Sequence, residues 1–149
     1  MITANRYHDI SCGHRVHQHE SKCAHLHGHN YRIHFSISAD SSLQGTKGEL
    51  DHVGRVLDFS VIKSVLCEWL EENWDHKFLI WNQDPLCYSL LALDTAGVVV
   101  VPFNPTAENM GKYLLDVIGP ELLREAGHPL VKLVSVIIEE TRKCSVTVF

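Results

Sequence analysis

The periodicities along this chain predict an α+β domain in which an antiparallel four-stranded sheet carries two helices on one face. Three observations predict it. Tyr31, Ile33, Phe35 and Ile37 alternate with polar residues, which is the period of a half-buried strand. From Asp58, and again from Thr106, the apolar spacing changes to three and four, the period of an amphipathic helix. Two further apolar stretches, residues 130–139 and 144–149, meet around Arg142 and Lys143 and read as a closing strand pair.

Taken in order, the first dozen residues allow a strand with weak alternation, and residues 29–39 (HNYRIHFSISA) form a clearer one. Residues 40–54 are polar and contain glycine, which reads as a turn or long connection. A helix follows to about Asn73, capped by Asp58 or Ser60, with Ile62, Val65, Leu66, Trp69 and Leu70 facing the core. Residues 77–103 mix apolar runs with Asp84-Pro85 and Gly97, and read as a connection with short extended pieces, including a possible pair around Leu90 to Val101. Thr106 caps the second helix, whose stripe is Met110, Tyr113, Leu114, Val117 and Ile118. Gly119-Pro120 is expected to interrupt it before a last helical stretch to about Ala126. The expected order is strand, strand, helix, helix, strand, strand.

A chain of 149 residues fits one compact domain, 1–149, able to bury a core without disulfide staples. The net charge of -5 speaks against a nucleic-acid surface. No basic segment followed by an apolar run opens the chain, and the run Val98 to Val101 is far too short to cross a bilayer. Five cysteines without a CxxC pair read as free thiols in a reducing compartment, so a cytoplasmic protein is expected.

Eleven histidines are many for this length, and nine of them precede position 53. In His27-Gly28-His29 the two imidazoles stand at i and i+2 and point to one side of an extended segment. Glycine between them lets another backbone approach closely. His14, at the expected end of the first strand, supplies a third ligand if the two strands are neighbours. Three neutral imidazoles leave one position of a tetrahedral zinc open, which is a catalytic arrangement. His25 alternates with His27, so spacing alone does not choose between them.

Cys23 lies four residues before His27. Beside a cation a thiol suits a general base or nucleophile; it also suits a fourth metal ligand, or a small loop residue. Asp75-His76 follows the first helix, and a carboxylate next to an imidazole makes an acid/base pair.

Together CGHRV (12–16), KCAHLHGHNY (22–31), GRVLDF (54–59), DHKFL (75–79), NPTAEN (104–109) and EETRKC (139–144) resemble the 6-pyruvoyl-tetrahydropterin synthase family over nearly the whole chain. The spacing Cys23-x3-His27-Gly28-His29 is similar to the branch that forms 6-carboxy-tetrahydropterin in queuosine biosynthesis, whereas pyruvoyl-forming members place five residues there. The resemblance implies the tunnelling fold and zinc held by His14, His27 and His29. It implies Cys23 as catalytic base, Asp75 and His76 as a proton relay, and Glu140, before Thr141, as the anchor of a pterin ring with help from Thr106. Glu108 is expected to serve its helix's first turn. The implied substrate is 7,8-dihydroneopterin triphosphate, with Lys22, Arg15 and Arg6 as candidates for its phosphates. The implied assembly is a homohexamer of stacked trimers with sites at subunit junctions. The alternatives are the pyruvoyl-forming reaction, a non-catalytic zinc- or pterin-binding protein, and a metal-buffering or structural zinc protein. The family's L-D-H-x-x-L-N appears here as Trp74-Asp75-His76-Lys77-Phe78-Leu79-Ile80, and residues 81–103 form a longer stretch than the family pattern needs.

Overall fold

A computed structural model describes residues 1–40 and 50–149. Most of the turn expected over residues 40–54 lies outside the described residues. Strands β1 (Ala4–His14) and β2 (His27–Ala39) pair antiparallel over their full overlap, from Ala4 opposite Ile37 to His14 opposite His27. Tyr31, Ile33, Phe35 and Ile37 point into the core, at most 1% exposed, as their alternation requires.

Helix α1 runs Phe59–Ile62, widens into a π-helical turn at Lys63–Cys67 and ends as Glu68–Asn73. Asp58 caps it by accepting from the Ser60 N–H at 2.8 Å. Ile62, Leu66 and Leu70 are buried on its inner side, and Trp74 closes that layer just beyond the helix end.

The chain then departs from expectation. Residues 77–103 form a parallel unit: strand β3 (Lys77–Trp81), helix α2 (Cys87–Leu93) and strand β4 (Val98–Val101). β3 lies parallel to β1, and β4 lies parallel to β3. The sheet is therefore six-stranded and mixed, in the order β4-β3-β1-β2-β5-β6, not four-stranded and antiparallel. Leu90, placed in an extended pair by its apolar neighbours, is helical. Leu79 and Ile80 are adjacent, face opposite ways and are both fully buried. Burial on both faces removes the alternation that marks a strand in sequence.

Helix α3 runs Ala107–Tyr113, passes a π-helical turn at Leu114–Ile118 and continues as Gly119–Glu125. The expected break at Gly119-Pro120 is absent, because Pro120 stands at the first turn of the last segment, where its missing N–H costs little. Met110 and Leu114 are buried as expected, whereas Val117 is 45% exposed. Strands β5 (Val131–Glu139) and β6 (Ser145–Val148) complete the sheet, β5 pairing with β2 through a bulge at Ser36/Ile37. Helices α1 and α3 pack on the face carrying Ile33, Phe35, Val136 and Ile138. All five cysteines are free thiols. Among the described residues no helix is long and apolar enough to cross a membrane.

Candidate metal centre and adjoining cavity

The β1–β2 register brings the three predicted histidines together at one end of the sheet. His14 stands opposite His27, and Cys12 opposite His29. Cross-strand partners share a face, and His29 lies two residues beyond His27 on that face. Gly28 makes the close pairing possible: a Cβ there would lie 2.8 Å from the Cys12 carbonyl oxygen and 3.1 Å from the Gly13 Cα.

The imidazole nitrogens of His14, His27 and His29 lie within 4.8 Å of one another, a group able to hold a metal ion. His14 Nδ1 bonds to the Pro105 carbonyl at 2.7 Å, and His27 Nδ1 to the His25 carbonyl at 2.7 Å. A carbonyl only accepts, so each Nδ1 carries the proton and each neutral ring offers its Nε2 lone pair. Those two Nε2 atoms face each other at 3.1 Å. Two lone pairs at that distance repel unless a cation stands between them. Ligands about 2.0–2.1 Å from a tetrahedral zinc are spaced about 3.3 Å apart, so the residues fit such an ion. His29 Nε2 is buried without a hydrogen-bond partner; Glu140 Oε1 is the nearby charge, at 3.5 Å.

Burial pushes His14 down to about 4, helped by its two neighbouring imidazoles and opposed by the Pro105 bond. Burial also lowers His29, against the pull of the Glu140 carboxylate. Neutral rings are the form that binds metal. The Tyr31 hydroxyl is likewise buried and unpartnered, and its ring lies edge-on to His14 and His29.

The segment 104–109 braces this end. Asn104 accepts from the His17 N–H at 3.0 Å and donates to the His17 carbonyl at 2.9 Å, while Asn109 donates to the Asn104 carbonyl at 2.9 Å. Thr106, expected at a pterin pocket, spends its hydroxyl oxygen capping α3, accepting from the Asn109 N–H at 3.1 Å. Asn104 and Pro105 were not singled out by their residue types: Asn104 bonds backbone groups of His17 and Pro105 acts through its own carbonyl, and only their place in NPTAEN signalled them.

A cavity of about 870 Å³ opens beside His29 and is lined by Ser11, Asn30, Asp75, His76, Glu140 and Thr141 among others. Asp75 Oδ1 accepts from the Ser11 N–H and its Oδ2 from His76 Nδ1, both at 2.8 Å. Burial raises this carboxyl, but those two bonds and the His76 charge outweigh it and hold it below the usual range. His76 has a left-handed backbone (φ 57°) tied through its N–H to the Ser11 carbonyl, and its ring is 81% exposed. Glu108 and Glu140 share a smaller cavity of about 200 Å³.

Cys23 sits on the 3-10 turn Lys22–Ala24, half-buried, outside the histidine group and outside the lining of the larger cavity. Of the phosphate candidates, Arg15 is bonded to the buried Asp84 and Arg6 to the Phe59 carbonyl, while Lys22 lies on the exposed side of the Cys23 turn. His25 serves through its carbonyl, not as a rival ligand.

A sheet with two long helices on one face and three convergent histidines at its end, a group able to hold a metal ion, defines a class of small α+β proteins. The profile described as 6-pyruvoyl tetrahydropterin synthase matches residues 3–149, and the chain belongs to that family. It is 31% identical over 149 residues to the 6-carboxy-5,6,7,8-tetrahydropterin synthase of Rickettsia typhi, covering 99% of this chain and 100% of that one. It is 37% identical over 133 residues to a probable 6-carboxy-5,6,7,8-tetrahydropterin synthase of Halobacterium salinarum, covering 89% of this chain and 76% of that one. The fold is shared with an uncharacterized protein of Wolinella succinogenes (TM-score 0.78, 24% identity, 99% and 97% of the two chains). It is shared also with the 6-pyruvoyl tetrahydropterin synthase of Plasmodium vivax (TM-score 0.66, 17% identity, 99% and 98%).

Proposed function

We propose that this chain is a zinc-dependent 6-carboxy-5,6,7,8-tetrahydropterin synthase of the cytoplasm. It converts 7,8-dihydroneopterin triphosphate and one water to 6-carboxy-tetrahydropterin, acetaldehyde and triphosphate, on the route to queuosine and related 7-deazapurines. The observation that carries the reading is the pair of Nε2 atoms of His14 and His27 facing each other at 3.1 Å, with His29 Nε2 unpartnered beside them. The names of the relatives and the three-residue spacing between Cys23 and His27 favour the carboxylated product.

Zinc held by His14, His27 and His29 would supply the positive charge that acidifies the substrate's side-chain hydroxyls. Glu140 accepts hydrogen bonds from the amino and ring N–H groups of the pterin, a task suited to the two oxygens of a carboxylate. The Cys23 thiolate removes and returns a proton at the carbon attached to the ring. His76 exchanges the second proton, with Asp75 orienting the ring and stabilising its charged form. Thr106 contributes by fixing segment 104–109 through its cap. Assembly as a homohexamer of stacked trimers belongs to the same reading. Two sheet edges, β4 and β6, and the exposed ring of His76 support it.

Incubation of the zinc-loaded protein with 7,8-dihydroneopterin triphosphate, with products identified by mass spectrometry, tests the reading. Acetaldehyde with the carboxylated pterin is expected. The pyruvoyl product, the activity named for the Plasmodium vivax fold neighbour, would replace the reaction but keep the site. No turnover with tight pterin binding would mark a binding protein, and no pterin affinity a metal-buffering or structural one. Cys23→Ala is expected to abolish turnover and keep its zinc; loss of zinc would make Cys23 a ligand.

A further inference from the structure

The turn that carries Cys23 is gripped by residues outside the set assigned to the chemistry. Val16 donates its N–H to the Cys23 carbonyl at 2.9 Å. Arg15 donates through Nη1 to the next carbonyl, Ala24, at 3.2 Å. The guanidinium is oriented by a buried partner: its Nε donates to Asp84 Oδ2 at 2.8 Å, and the Asp84 side chain is 0% exposed. Asp84 is itself fixed, since its Oδ1 accepts from the Leu86 N–H at 2.9 Å and its N–H donates to the Trp81 carbonyl at 3.0 Å. It lies between β3 and α2.

A carboxylate is kept out of water only when its bonds are made, and a planar guanidinium can hold a carboxylate and a carbonyl at once. Resting on the reading of Cys23 as the proton-moving thiol, we infer that Arg15, set by Asp84, is a positioning residue for Cys23. The β3–α2–β4 segment thereby acts on the reaction without touching the substrate. A reacting group displaced by about 1 Å loses on the order of 10²-fold in rate. The Cys23 turn has few other tethers: it is three residues long, its cap makes no side-chain bond, and none of its residues is buried.

The test uses zinc-loaded, full-length Arg15→Ala, Arg15→Lys and Asp84→Asn with 7,8-dihydroneopterin triphosphate. For Arg15→Ala, kcat per bound zinc is expected to fall about 10- to 100-fold while KM stays within about twofold and zinc content is unchanged. Arg15→Lys recovers only part of the loss, because an ammonium lacks the planar fork. Adding Asp84→Asn to Arg15→Ala lowers kcat no further, since the two act as one unit. The rate of Cys23 alkylation by iodoacetamide shifts in Arg15→Ala, whereas that of the exposed Cys144 does not. If Arg15→Ala fails to fold because Asp84 is left unpaired, Arg15→Ala with Asp84→Ala removes both charges and is expected to show the same kcat loss. An unchanged kcat per zinc in a folded Arg15→Ala, or in that double variant, overturns the inference. Full turnover in Cys23→Ala would instead remove the reading beneath it, so the two failures are separable.

Discussion

The histidine centre and the Asp75-His76 pair adjoin one cavity yet are built in opposite ways. His14 is 1% exposed, and the His14 and His27 rings are each locked by a backbone carbonyl. His76 is 81% exposed and held by its carboxylate neighbour and one backbone bond. The first site is finished within a single chain, because burial and register do the positioning. The second offers its ring to solvent and has only those two bonds to hold it. Metal affinity should therefore be a property of the chain's own fold, and proton transfer the more sensitive function.

The largest effect that could break this contrast is at His29. His29→Ala is expected to lose nearly all bound zinc and all measurable turnover, read by metal analysis after gel filtration; retained zinc would mean the ion sits elsewhere. His76→Ala should lower kcat by about 10²–10⁴ and leave zinc content intact. Zinc loss in that variant would make the two sites one. Next comes pH. In the metal-free protein His14 stays neutral down to about 4, whereas in the unfolded chain it takes a proton near 6.5. The unfolded state thus binds more protons across that window, and stability falls as pH drops from 6.5 to about 4, by up to about 3 kcal/mol. Denaturant titration of the metal-stripped protein at several pH values measures it, and His29 adds in the same direction. A flat profile would show that the His14 site opens to water without metal. The smallest effect sharpens the register: Gly28→Ala must push β1 from β2 at the Cys12 carbonyl and is expected to weaken zinc about 10- to 100-fold by competition with a chelator.

Much of this was legible in the residues. Tyr31 to Ile37 and Ile62 to Leu70 carry local periods, and Asp58 and Thr106 announce helix starts by capping chemistry that is complete within a few residues. His27-Gly28-His29 was legible because an extended backbone alone puts both rings on one side. His14 joins the other two histidines only through strand register, which no local pattern states. Strand β3 escaped because Leu79 and Ile80 are buried on both faces and leave no alternation, strand β4 because four consecutive valines carry none, and Pro120 misled because a proline at a first turn looks like one that ends a helix. Asn104, Pro105 and Asp84, and the part Arg15 plays beside the Cys23 turn, were hidden for another reason. They act largely on backbone carbonyls and N–H groups, which every residue possesses and no spacing reveals.

The bond from His14 to Pro105 also orders events in time. The ligand ring and the carbonyl that orients it are 91 residues apart. At about 5–20 residues per second, a ribosome needs on the order of ten seconds to deliver the second after the first. During that interval all three imidazoles exist in a nascent chain that cannot yet hold them in place. Capture of a metal by the proposed site is thus expected only late in synthesis, once the Pro105 carbonyl is in place.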